Sequence, residues 1–130
     1  PMIVEPLLAS GELDAMCREV IRPYYEQCSH RAVGWLREAC DGLPLRIHRP
    51  EGAFFLWLWF PGLPVTSREL YARLKARGVL VLSGHHFFPG LAEPWAHRDE
   101  CLRVNCSQEP DRVQAGIRLI AEEVRCAYRA

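Results

Sequence analysis

Between residues 85 and 103 the chain sets down in quick succession the side chains most able to do chemistry: His85, His86, His97, Cys101 and Arg103. Three imidazoles and a thiol within 17 residues form its one cluster with metal-ligand character. No pair among them has a recognised zinc spacing such as i, i+4 on a helix, so loop histidines packed among aromatics are the ordinary reading and a metal module the weaker one. Arg103 carries more. It sits between Leu102 and Val104, so in an extended strand it points off one face while its neighbours point off the other. A guanidinium held on stiff backbone at the end of a long loop is a good carboxylate clamp, and the ordinary alternative is a solvated or salt-bridged arginine on an exposed face. Lys75, the sole lysine, falls between Leu74 and Ala76 on the flank of an amphipathic pattern, which suits a solvated charge better than a Schiff-base nucleophile. The chain has no Gly-x-Gly-x-x-Gly, no P-loop and no Gly-x-Ser-x-Gly.

The elements that must position these residues follow from periodicity and punctuation. Ala53 to Phe60 is a run of eight apolar residues, five of them aromatic, opened by Glu51-Gly52 and closed by Pro61-Gly62. Its length and its glycine and proline borders predict a strand buried on both faces. Aromatics in such a strand are core far more often than ligand box, which is the reading for Phe54, Phe55, Trp57 and Trp59. Leu45 to His48 alternates and turns back through Arg49-Pro50-Glu51-Gly52, so the two strands should pair as an antiparallel hairpin.

From Ser10 to about Cys40, Leu13, Met16, Val20, Tyr24, Cys28, Ala32, Trp35 and Ala39 lay one stripe along a helix, with Ser10 to cap it and Gly42 to end it. Pro23 interrupts the pattern and predicts a bend near Val20 to Pro23. Thr66-Ser-Arg-Glu69 is a capping box opening a helix on Leu70 and Leu74 that Gly78 stops. Val79 to Leu82 should return to the sheet, and Ser83 to Glu100 has no period and reads as an 18-residue loop of functional length. Cys101 to Cys106 is a strand with alternating faces; Pro110 opens a last helix on Val113, Ile117, Ile120, Val124 and Tyr128. The expected fold is α+β: a two-layer sandwich with a small, mostly antiparallel sheet of about four strands, covered by helices, and a long kinked N-terminal helix.

At 130 residues the chain is one domain's worth, and 49% apolar content can fill a single core. Its 16 basic and 16 acidic residues balance, and the basic ones are scattered, so neither a nucleic acid nor an acidic membrane surface is an expected partner. No transmembrane helix or signal peptide is visible. Cysteines 17, 28, 40, 101, 106 and 126 lack any Cys-x-x-Cys and suit buried free thiols of a cytoplasmic protein. Pro1 followed by Met2 reads as a fragment edge.

Taken together, Pro50-Glu-Gly-Ala-Phe-Phe-Leu-Trp-Leu-Trp59, Leu74-Lys-Ala-Arg-Gly-Val-Leu-Val81, Gly84-His-His-Phe-Phe-Pro-Gly90 and Leu102-Arg-Val-Asn105 resemble the C-terminal segment of fold-type I pyridoxal-phosphate aminotransferases. Within that class the Leu-Trp-Leu-Trp extension and the Gly-His-x-Phe-Phe-Pro-Gly loop are most similar to the valine–pyruvate type. The resemblance runs from about Pro1 to Tyr128 and implies that residues 1–130 are the small domain of such an enzyme. It implies that Arg103 binds the substrate's α-carboxylate, that Phe87 and His85 line the pocket, and that the loop differs from many relatives in carrying Ser83 where they have proline.

By the same resemblance, the Schiff-base lysine, the aspartate facing the pyridinium nitrogen and the phosphate-holding residues lie upstream, and no motif here matches them. Pyridoxal 5'-phosphate would then be bound by the large domain, this piece alone would be inactive, and the long helix would be the connector between domains. Amino acids and 2-oxo acids would be the substrates, amino-acid biosynthesis the setting and a homodimer the full-length assembly. The alternative is a free-standing noncatalytic module that binds a small carboxylate or another protein.

Overall fold

Leu56 and Leu58 are buried while Phe55, Trp57 and Trp59 on the same strand are only half-buried, and that alternation organises the whole molecule. The computed structural model describes residues 4–130; residues 1–3, with the expected fragment edge, lie outside the described residues. Four strands, β1 (Arg46–Ile47), β2 (Phe55–Trp59), β3 (Leu82–Ser83) and β4 (Cys101–Asn105), form one sheet in the order β1-β2-β4-β3, every neighbouring pair antiparallel. The expected α+β sandwich with a four-stranded sheet is what forms.

One face of this sheet presents Leu56, Leu58, Leu102 and Val104 to three helices, α3 (Arg22–Ala39), α4 (Ser67–Ala76) and α6 (Pro110–Arg129). Leu36, Leu70, Leu74, Ile117, Ile120 and Val124 meet them there, each at most 1% exposed. Burying a large aliphatic side chain stabilises by roughly 1.5 to 3 kcal/mol, so this layer supplies most of the driving force. The other face carries no helix of that length. The expectation that residues 53–60 are buried on both faces is therefore corrected: helices cover one side, and the aromatics of β2 line the other, where the connection from β3 to β4 packs over them. An unbroken apolar run reads as two-sided because tryptophan and phenylalanine count as apolar whether sealed or merely shielded.

The long N-terminal helix bends where Pro23 demands it. α1 (Val4–Ala9) and α2 (Glu12–Met16) lead into a π-helical turn, Cys17–Ile21, and α3 begins with Pro23 in its first turn. Pro23 has no N–H to give, and the turn before it widens until the Arg22 N–H bonds the Cys17 carbonyl, five residues back. Only from Cys28 onward is the stripe buried, through Cys28, Ala32 and Leu36; Met16, Val20 and Tyr24 are exposed, and neither α1, α2 nor the π turn buries a residue. Helix α2 is preceded by Gly11, and the Ser10 hydroxyl accepts from the Glu12 N–H and donates to the Leu7 carbonyl, each at 3.4 Å.

At α4 the Thr66 hydroxyl accepts from the Glu69 N–H as expected, while the Glu69 carboxylate turns to Arg73 at 2.6 Å. Its far end closes on Gly78 at φ 79°, with Gly78 N–H to Lys75 and Val79 N–H to Leu74, the double bond of a Schellman motif. The segment expected as one structureless loop is built: it starts in β3, continues as a 3-10 turn, Gly84–Phe87, and ends in the short helix α5 (Ala96–Asp99).

Candidate functional site: an arginine between two rings

Arg103 stands in the middle of β4, opposite Trp57 on β2 and Leu82 on β3. Leu102 and Val104 go down into the core, so the pleat sends Arg103 to the aromatic face. Its guanidinium carbon lies 4.2 Å from the centroid of the Phe55 ring and 4.8 Å from that of Phe87. Each ring offers its negative face to the cation, a contact worth about 0.5 to 1 kcal/mol when partly exposed. Among the described residues no carboxylate lies within ion-pair distance of this guanidinium. Two rings pack against the cation, and among the described residues no acceptor bonds its N–H groups, which leaves them to engage a carboxylate through two parallel hydrogen bonds.

Phe87 reaches Arg103 because the 3-10 turn is wedged against the sheet. A methyl group at Gly84 would stand 2.6 Å from the Arg98 carbonyl oxygen and 2.9 Å from both Cβ and the carbonyl oxygen of Cys101, so glycine alone lets the backbones approach. From there Phe87 packs edge-on against Trp57 at 5.1 Å, and Phe88 against Trp95 at 5.1 Å. The connection closes on Glu100, whose carboxylate accepts from the Trp59 indole N–H at 2.7 Å and the Gly62 N–H at 2.9 Å.

His85, expected beside Phe87, is engaged on its own account. Its Nδ1 is 2.6 Å from the Ser83 hydroxyl, which is 2.6 Å from the Ser67 hydroxyl on α4, and its ring lies 3.9 Å from that of His86. Partial burial, with His86 and Arg68 nearby, holds the His85 imidazole below its ordinary pKa and so neutral. The structure brings Phe87 to Arg103 and ties His85 to the two serines.

His97 sits among Trp59 and Trp95, each at 4.8 Å, with the Cys101 thiol 3.6 Å from its Nε2. Burial pushes the Cys101 thiol up to about 12, so it stays protonated and is a poor metal ligand. Among the described residues no three His, Cys, Asp or Glu side chains are grouped to hold a metal. A cleft of about 370 Å³ lies between Tyr25 and His30 of α3 and the segment Pro50–Phe54, away from Arg103. Its lining offers no unpaired cation stacked between rings, so chemistry rather than concavity marks the site.

No family model matches the chain. Valine–pyruvate aminotransferase of Escherichia coli (strain K12) is 42% identical over 128 residues, covering 98% of this chain and 31% of that protein. The chain is thus similar to one segment of a valine–pyruvate aminotransferase. The solved valine–pyruvate aminotransferase of Salmonella typhimurium LT2 superposes with a TM-score of 0.89 at 44% identity, over 95% of this chain and 32% of that one. A putative amino-acid aminotransferase from Psychrobacter arcticum 273-4 gives a TM-score of 0.93 at 39% identity, over 98% and 29%. The chain spans about a third of the length of the aminotransferases it matches.

Three residues around Arg103 and its connection escaped the sequence. Phe55 reads as core, and only the register Phe55↔Asn105 and Trp57↔Arg103 reveals that it shares Arg103's face. Ser67 is legible only as the first residue of a capped helix, and Glu100 only as the end of a loop. The hydrogen-bond partners of both serve segments distant in sequence, which no local spacing encodes.

Proposed function

We propose that this chain, residues 1–130, is the substrate-carboxylate-binding small domain of a pyridoxal-phosphate-dependent amino-acid aminotransferase of the valine–pyruvate type. The observation that carries the reading is the Arg103 guanidinium, packed against the Phe55 and Phe87 rings with no carboxylate at ion-pair distance among the described residues. Arg103 grips the α-carboxylate of the amino acid or 2-oxo acid through its donor edge. Phe55 and Phe87 fix the plane of that grip, and Trp57 backs Phe87. Fixing the carboxylate orients the Cα–H bond, and orientation alone can supply several kcal/mol of a barrier.

When bound, pyridoxal phosphate supplies the electron sink that stabilises the developing carbanion. The donor set in this chain does not fit that cofactor: the sole lysine, Lys75, is exposed in the last turn of α4, and no glycine-rich phosphate cradle is present. The cofactor therefore belongs to a large domain outside residues 1–130, and this piece alone does not transaminate. The exposed apolar residues Leu8, Met16, Val20 and Ile21 suit the arm that joins the two domains. A cytoplasmic homodimer acting in amino-acid biosynthesis is the setting that goes with this reading; among the described residues no helix is long and apolar enough to cross a membrane.

The test is Arg103→Ala in the enzyme that carries this segment. We expect kcat/KM to fall by the equivalent of roughly 2 to 4 kcal/mol with KM raised, as for a lost charged hydrogen-bonded pair. Unchanged kinetics removes Arg103 from the site.

A further inference from the structure

The buried pair Ser67 and Ser83, with the imidazole of His85, has no part in the reading above. Ser67 is fully buried on α4 and Ser83 is 2% exposed on β3. Their hydroxyl oxygens are 2.6 Å apart, and Ser83 Oγ is 2.6 Å from His85 Nδ1. Such a chain can run in two directions, and counting protons decides between them. If His85 Nδ1–H donated to Ser83, then Ser83 would donate to Ser67, and the Ser67 O–H would be left buried with no acceptor among the described residues. If Ser67 donates to Ser83 and Ser83 to Nδ1, every hydroxyl proton has a recipient. A stranded buried donor is much the costlier outcome, so the network assigns His85 as the neutral tautomer protonated at Nε2.

The placement of this chain matters for Arg103. Ser83 is the last residue before the Gly84–Phe87 turn, and His85 is the turn's second residue. Gly84 is already jammed against the backbone at Arg98 and Cys101, so the turn has its start fixed by packing and its middle fixed by the two hydroxyls. Phe87, the residue it delivers, is the one that stacks on the guanidinium.

We propose that Ser67 and Ser83 are positioning residues for carboxylate binding: through His85 they hold the Gly84–Phe87 turn in the one setting that places Phe87 on Arg103. The proposal rests on the carboxylate-binding reading and deepens it. It also carries a pH dependence. The charged or titratable groups facing His85 are His86 on its own turn, Arg68 on α4, and Arg98 and Asp99 on α5. Cations outnumber the single carboxylate there, and a proton on Nδ1 would take away the acceptor of the Ser83 O–H. Acid should therefore loosen the turn and weaken carboxylate binding.

The experiment begins with nitrogen-15 NMR of the His85 ring in the unmutated chain, which needs no variant to fold. Nε2–H at neutral pH is expected, and Nδ1–H overturns the proposal. Pyruvate is then titrated into the chain and into its Ser67→Ala, Ser83→Ala and Arg103→Ala variants. Either serine variant should weaken pyruvate by about three- to tenfold, the scale of one lost hydrogen bond. In Ser83→Ala the His85 titration midpoint should also move upward, because the neutral ring has lost the bond that favoured it. Serine variants that keep both the midpoint and the affinity overturn the positioning role. Arg103→Ala that keeps full pyruvate affinity sinks the carboxylate reading instead, and the positioning proposal with it, whatever tautomer His85 shows.

Discussion

The Phe87 ring centroid lies 4.8 Å from the Arg103 guanidinium carbon, although 16 positions of sequence and a short helix separate the two residues. That contact turns a strand arginine into an oriented one. Phe55 packs against the same guanidinium at 4.2 Å, so rings from β2 and from the β3–β4 connection hold it together. Phe87→Ala should leave the cation in place but free to turn, weakening pyruvate about two- to fivefold, the worth of one cation–π contact. Titrating Phe87→Ala beside Arg103→Ala checks this, since equal losses in the two would mean that Phe87 acts by something more than stacking.

Gly84→Ala probes the wedge. The added methyl would stand 2.6 Å from the Arg98 carbonyl oxygen, and backbone rather than a pliable side chain must give way. Overpacking of this kind costs about 1 to 3 kcal/mol. The urea midpoint should drop, and Trp57, whose ring meets Phe87 and Phe88, should change its fluorescence. An unaltered spectrum with unaltered stability would show that the turn seats itself elsewhere without loss.

Glu100→Gln tests the clamp that closes the connection. Both partners of the Glu100 carboxylate, the Trp59 indole and the Gly62 amide, are donors, so each oxygen must accept. A glutamine presents one oxygen and one NH2, and whichever way it turns a donor meets a donor. We expect a loss of about 1 to 3 kcal/mol in chemical unfolding. Equal stability would mean that water replaces the lost acceptor at no cost.

How far the sequence foretold this site depends on the range of the interaction concerned. The bend before Pro23, the cap at Thr66, the stop at Gly78 and the β1–β2 hairpin each depend on residues a few positions apart, and each is present. Arg103's side of the sheet was legible from alternation, because Leu102 and Val104 had to go into a core. Phe55 was not, because the side it takes matters only once β2 and β4 are in register, and Trp57 and its partner Arg103 lie 46 positions apart. The Ser67–Ser83 bond, which joins a helix to an edge strand, was hidden for the same reason. The connection from Ser83 to Glu100 lacked a period because its order comes from ring contacts and one glycine's close approach, neither of which repeats.

The six thiols should divide cleanly. Cys17 and Cys126 are exposed, whereas Cys28, Cys40, Cys101 and Cys106 are buried. Burial pushes the Cys40 thiol up to about 11 and Cys101 to about 12, so both lack the nucleophilic thiolate as well as access. Mass spectrometry after iodoacetamide at neutral pH should find two modified cysteines in the native chain and six in denaturant. Early labelling of Cys101 would show that the aromatic connection opens readily.

Acid should destabilise the fold through His85. Its pKa is lowered in the folded chain, chiefly by burial, with His86 and Arg68 adding to the effect. In the unfolded chain the ring titrates near its ordinary value of about 6.5, so between that value and the folded one the unfolded state binds more protons. Unfolding free energy must then rise with pH across that window: it is flat above about 6.5 on this group's account and falls as pH drops below it. Replacing His85 with asparagine, which cannot gain the proton, should flatten that slope. Urea midpoints measured from pH 7.5 down to pH 5 for both proteins check this, and identical slopes would mean that other groups govern the acid limb.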